Sequence, residues 1–169
     1  MSSDGKDMHD VQPWIDAMTD AMREVATTTL GYEGCTVLGP RTSSGDLSGG
    51  YVALVGDKCS VQVAVASEPS VCRAIAARLF EMPEDEADSL PDGDVADAIG
   101  ELVNIVGGQV KTRMAETDGS LQLGLPFVIE GVIESTKRLK SEYIEADLGG
   151  VKVVLVVIID TMHAVEAAA

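Results

Sequence analysis

Cations are scarce in this chain: 12 lysines and arginines stand against 28 aspartates and glutamates, a formal charge of −16. Such a surface repels phosphate backbones and anionic headgroups within a Debye length, so nucleic acid and membrane surfaces are poor candidate partners. Long apolar runs are missing too. No stretch reaches the roughly 18 apolar residues that span a bilayer, and the opening MSSDGKDMHD has no apolar signal core. The expected compartment is the cytoplasm. The three cysteines, Cys35, Cys59 and Cys72, are an odd count without CxxC spacing, which argues against a disulfide framework and a zinc knuckle and reads as buried thiols. The two histidines, His9 and His163, lie near opposite ends and neither is near a Ser or Cys in a recognisable nucleophile motif, so a hydrolytic triad has almost no support.

What is present suits a folded domain. With 46% hydrophobic and 24% charged residues, global disorder is excluded, and 169 residues fit one domain with a substantial core. Residues 1-169 are expected to form that single domain, with loose ends at about 1-8 and 163-169. Val11, Trp14, Ile15, Met18, Met22 and Val25 recur at helical spacing, and Gly31 follows the end of this first helix. Strands are expected near Cys35 to Leu38, Tyr51 to Val55 and Cys59 to Ala66, with RTSSGDLSGG as a flexible loop and GDK at 56-58 as a tight hairpin. Ser67 offers an N-cap to a second helix running to Phe80.

The acidic, proline-bearing stretch 82-94 reads as a connector whose end caps a third helix, from about Val95 to Glu116. Strands are expected again at Leu125 to Ile133, Leu139 to Leu148 and Val151 to Ile159, with Gly149 and Gly150 as a hairpin turn. The expected fold is α+β and two-layered: a six-stranded, mostly antiparallel sheet with about three helices on one face. Each half repeats a helix followed by three strands, which suggests an internal duplication. The last strand, VKVVLVVIID, lacks polar alternation and needs cover on both faces. A dimer formed through the sheet or its edge supplies that cover; a central strand with loops over its second face is the other solution.

Two further stretches invite and fail specific readings. DGDVAD lacks the glycine and glutamate positions of an EF-hand calcium loop, and SSGDLSGG has no following lysine and leads into a strand, so it is no phosphate-binding loop.

The third helix contains GELVNIVGGQVKTRM, where Asn104 and two glycines interrupt an apolar period at a cost of about 0.6 kcal/mol for Asn and roughly 1 kcal/mol per Gly. At 100° per residue, Ile99, Leu102, Val103, Val106, Val110 and Met114 form one stripe that faces the core. Glu101, Asn104, Gly108 and Lys111 fall at about 200°, 140°, 180° and 120° from Ile99, on the opposite side. A carboxylate and a carboxamide thus point the same way, and Gly108 removes bulk beside Asn104. On spacing alone these residues also describe an ordinary solvated face.

GELVNIVGGQVK resembles the signature helix of the CheC/CheX/FliY family of chemotaxis phosphatases, with ExxNxxxGxxK matched at Glu101, Asn104, Gly108 and Lys111. LGLPFVIEG at 123-131 is similar to that family's strand with its Pro and trailing Gly, and the element order agrees along nearly the whole chain. The first helix has no ExxN, its nearest approximations being Asp16 with Thr19, Asp20 with Arg23 and Glu24 with Thr27. One motif per chain is the CheX arrangement, and CheX proteins are homodimers. The resemblance implies a phosphatase for the aspartyl phosphate of CheY-like response regulators, with Asn104 positioning the attacking water and Glu101 pairing with the receiver's lysine. Gly108 would allow close approach and Lys111 a contact at the rim. No metal of its own is implied, since Mg²⁺ belongs to the receiver. The alternative is a non-catalytic receiver-binding or dimeric interaction module of the same fold.

Overall fold

Every strand pairing in the sheet is antiparallel, and the strand order exposes the duplication directly. A computed structural model describes residues 10-160. The expectations about the loose ends, and those about His9 and His163, fall outside these residues. Helix α1 spans Gln12–Thr28, followed by β1 (Thr36–Arg41), β2 (Leu47–Val55) and β3 (Ser60–Ser67). Helix α2 (Pro69–Leu79) and a 3₁₀ segment (Glu84–Ser89) lead to α3 (Asp92–Arg113). Strands β4 (Gln122–Leu123), β5 (Phe127–Gly131), β6 (Leu139–Asp147) and β7 (Lys152–Asp160) complete the sheet.

The sheet runs β1-β6-β7-β3-β2-β4, with β5 also pairing with β2. Strands β4 and β5 lie end to end along the same edge of β2, so seven strand segments occupy six positions. Read from the centre outwards, β3, β2 and β4/β5 mirror β7, β6 and β1. Each half therefore lends its first strand to the edge of the other half, and the pseudo-twofold passes between β3 and β7.

The main core lies between the sheet and the three helices: Trp14, Met18 and Met22 of α1, Ile75 of α2, and Leu102, Val106 and Val110 of α3 pack with Val52, Val63, Leu155 and Val157. Complete burial of a side chain of this size contributes about 1.5-3 kcal/mol. The thiols of Cys59 and Cys72 are buried, as expected, whereas that of Cys35 is only half-buried.

The other face is closed as well. Tyr51, Tyr143, Val154, Val156 and Ile158 are buried there, with Leu47, Ile129, Ile133 and Leu139 packed against them. The 42-46 turn and the 132-138 segment are tied across this side: the Ile133 N–H donates to Ser44 Oγ at 3.2 Å, and the Tyr143 hydroxyl donates to the Ile133 carbonyl at 3.5 Å. A central β7 covered within one chain is thus the solution adopted. The apolar last strand carries no argument for a dimer.

Four local expectations need correction. LSGG at 47-50 is the first part of β2 and not loop, because its glycines make room: a Cβ on Gly49 would sit 2.8 Å from Ala66 Cβ, and one on Gly50 2.7 Å from the Ile99 carbonyl of α3. Ser67 does not cap α2; it ends β3 and gives its hydroxyl to the Lys152 carbonyl at 2.5 Å, while Glu68 is the N-cap. The acidic connector folds into the 3₁₀ segment, and α3 starts at Asp92 behind Pro91 with no side-chain cap. The strand expected from Leu125 starts at Phe127, because Leu125 and Pro126 leave the ladder, while Gly124 still donates its N–H to the Ala53 carbonyl.

Candidate functional site

Helix α3 is held at both ends and presents its middle. At the start, Arg73 from α2 forms an ion pair with Asp92 and donates to the Leu90 carbonyl at 2.5 Å. At the end, Arg113 reaches Glu24 of α1 at 2.5 Å and Gln109 Oε1 at 2.6 Å.

Past the last turn, buried Asp118 accepts from the Lys58 N–H at 2.9 Å, the Ser120 N–H at 3.0 Å and the Ser120 hydroxyl at 2.5 Å. This carboxylate staples the end of α3 to the β2-β3 hairpin. Burial pushes the Asp118 carboxyl up, but the Ser120 hydroxyl, the Lys58 and Ser120 N–H groups and the Cys59 thiol together hold it below its ordinary value. Burial, and then the Asp118 charge, push the Cys59 thiol up to about 11, so it stays protonated at neutral pH.

The expected core stripe of α3 is buried throughout: Ile99, Leu102, Val103, Val106, Val110 and Met114. On the other side, Glu101 is exposed and Asn104, Gly108 and Lys111 are half-buried. Glu101 and Asn104 are one turn apart, about 4.5 Å along the axis. Among the described residues, no side chain hydrogen-bonds or pairs with Glu101, Asn104 or Lys111. The four residues of the pattern therefore share one face, with their polar groups available.

The two glycines do different things. A Cβ on Gly107 would lie 2.6 Å from Val52 Cγ1 and 3.0 Å from Leu123 Cδ1, so this glycine lets α3 settle onto the sheet. A Cβ on Gly108 would meet nothing within 4 Å. Packing among the described residues gives no reason for glycine at 108, although glycine costs a helix roughly 1 kcal/mol there. The sequence pattern groups both glycines as oddities; only the 80° position of Gly107, on the flank of the apolar stripe, distinguishes it beforehand.

The segment 123-126 runs alongside this face. Leu123 borders Gly107, and Pro126 borders Gly100, 3.9 Å from the position of a Cβ there. Asn104 lies between those two turns on the same flank. Among the described residues, no group of three His, Cys, Asp or Glu side chains is placed to hold a metal ion, and no helix is long and apolar enough to cross a membrane.

What this geometry can do chemically is limited and specific. A neutral carboxamide donates and accepts without acting as a strong base, and a free carboxylate one turn away offers a partner for a cation. Such a face can orient a water and fix a register, given a partner that brings the reactive group.

Several solved structures share this fold. A CheC-like superfamily protein from Shewanella sp. PV-4 superposes with a TM-score of 0.70 at 18% identity, over 87% of this chain and 97% of that one. The chemotaxis protein CheX from Desulfovibrio desulfuricans gives 0.65 at 19% identity, over 88% and 97%. A structure of a CheX-CheY-BeF3-Mg²⁺ complex from Borrelia burgdorferi gives 0.67 at 23% identity, over 88% and 96%. No curated protein matches the sequence at a significant level. The family model for the chemotaxis phosphatase CheX matches residues 48-145, a span that contains α3 and the 123-131 strand and exceeds half of the chain. On that match, this chain belongs to the CheX family of chemotaxis phosphatases.

Proposed function

We propose that this protein accelerates hydrolysis of the aspartyl phosphate of a CheY-like response regulator. The observation that carries the proposal is the outer face of α3, where Glu101 and Asn104 have no partner side chain among the described residues and Gly108 opens onto empty space.

In this reading the receiver brings Mg²⁺, its lysine and the acyl phosphate. This chain contributes position. Asn104 accepts from and donates to a water held in line with phosphorus, which converts a random encounter into a near-attack arrangement. Glu101 pairs with the receiver's lysine and sets the docking register, acting as an anchor and not as a general base. The half-buried Lys111 contacts the rim. Gly108 leaves room for the receiver's backbone to approach the Asn104 turn.

The test is the decay of a phosphorylated receiver with and without the protein. Acceleration is expected, and Asn104→Ala is expected to remove about 10²-fold or more of it while binding stays nearly intact. No acceleration across the receivers of the host would sink the reading; binding without acceleration would promote a receiver-binding module instead. Homodimer formation, which the one-motif arrangement suggests, is tested by sedimentation.

A further inference from the structure

The edge strand facing the Asn104 turn carries one residue too many. From Leu123 to Phe127 it advances four residues, while β2 opposite advances three, from Leu54 to Tyr51. That is a β-bulge, a device that re-aims a side chain and terminates local pairing. It is firmly seated: the Gly124 N–H donates to the Ala53 carbonyl at 2.8 Å, and Pro126 rests beside Gly100 of α3. The side chain it re-aims is Leu125, which is 88% exposed.

A leucine held in water gains nothing from the fold. Its place is informative, because the segment carrying it passes between Leu123 beside Gly107 and Pro126 beside Gly100, along the flank that bears Asn104. We propose that Leu125 is the apolar anchor for the receiver, burying itself against an apolar patch that borders the phosphorylated aspartate when Asn104 reaches its water. The inference rests on the reading of α3 given above. Electrostatics alone is a weak source of affinity here: the chain carries −16, and Asp94, Asp97 and Glu101 on α3 are all exposed. An apolar contact supplies binding that does not depend on charge.

The duplicated half provides an internal control. Strand β1 has its own register shift between Val37 and Gly39, at Leu38, which is 49% exposed. Leu38 lies on the mirror-related edge, and the helix of its half, α1, has no ExxN.

The experiment titrates a phosphorylated receiver against the wild type, Leu125→Ser, Leu125→Met and Leu38→Ser, and repeats the titration for binding with the receiver loaded with beryllium fluoride and Mg²⁺. Leu125→Ser is expected to raise the half-saturating concentration on the order of tenfold with the saturating rate unchanged. Leu125→Met should restore most of the affinity, and Leu38→Ser should match the wild type. Equal affinity in Leu125→Ser and wild type overturns the anchor while leaving the phosphatase reading intact, as does an equal loss in Leu38→Ser. If the wild type binds the loaded receiver without accelerating decay, the phosphatase reading fails, and the binding titration alone judges Leu125. A wild type that binds no receiver overturns both.

Discussion

Replacing Gly107 and Gly108 by alanine, one at a time, separates a glycine required by packing from one assigned above to the approach of the proposed receiver. At 107 the added methyl would lie 2.6 Å from Val52 Cγ1, a stiff β-branched side chain in the sheet, and 3.0 Å from Leu123 Cδ1. Overpacking of this kind costs about 1-3 kcal/mol, and the better helix propensity of alanine returns about 1 kcal/mol. The net expectation for Gly107→Ala is a loss of up to about 2 kcal/mol.

At 108 none of the described residues lies within 4 Å of the new methyl, so only the propensity gain remains. Gly108→Ala is expected to stabilise the chain by about 0.5-1 kcal/mol, or roughly 1-4 °C in Tm. Urea titrations of both variants against the wild type measure the pair directly. The same Gly108→Ala protein is then assayed for receiver dephosphorylation, where the methyl stands between the Asn104 turn and the incoming surface, and a loss of about tenfold or more in kcat/KM is expected. Two results would refute the reasoning. A destabilised Gly108→Ala would mean that the face is not open, and a stabilised variant with wild-type activity would mean that no partner needs the glycine.

The other predictions are simpler. Asp118→Asn keeps the shape of the staple and removes its charge, so urea midpoints should fall by the equivalent of about 1-2 kcal/mol at neutral pH. The folded carboxyl is depressed, so this contribution is present above the ordinary value of 3.8 and disappears as pH falls through the lower folded value; the gap between wild type and variant should close below about pH 4. Iodoacetamide with mass-spectrometric mapping at neutral pH should modify half-buried Cys35 first. Cys59 and Cys72 are buried and pushed up to about 11, so they should react only on unfolding. Glu101→Gln should raise the receiver concentration for half-maximal acceleration with little change in the saturating rate; an unchanged concentration would remove its anchor role.

The parts legible in the sequence are those where one physical effect dominates. The buried stripe of α3, from Ile99 to Met114, follows from helical period alone, because no residue on it has a competing polar demand. Gly149 and Gly150, at φ of 95° and 103°, turn the β6-β7 hairpin where only glycine is unstrained.

Misreadings arose where one residue type serves two ends. Gly49 and Gly50 signal a turn by composition, yet here they admit Ala66 and the α3 backbone into contact with a strand. Ser67 has the chemistry of a cap, but the Lys152 carbonyl takes its hydroxyl. The exposure of Leu125 was foreshadowed only by Pro126, which cannot donate to a ladder and marks a bulge or an edge. The pattern on α3 is legible; what Asn104 meets is not, because among the described residues no side chain pairs with it.

The duplication allows the two halves of the fold to be compared residue by residue at the proposed site. Sliding α1 along α3 until the buried stripes coincide sets Trp14, Ala17, Met18, Ala21, Met22 and Val25 against Ile99, Leu102, Val103, Val106, Gly107 and Val110. Asp16, Thr19 and Arg23 then fall on Glu101, Asn104 and Gly108. Asp16 is one methylene short of Glu101. Thr19 is buried and its hydroxyl donates to the Ile15 carbonyl at 2.8 Å, so it has no donor left for a water. Arg23 pairs with Asp20 at 3.0 Å and places a long side chain where α3 has none. Each difference closes a feature that the α3 face leaves open: reach, a free amide and room. The same frame thus supports a packing helix in one half and an open-faced helix in the other: the buried stripes coincide in position though not in residue type, and the outer faces differ at these three side chains.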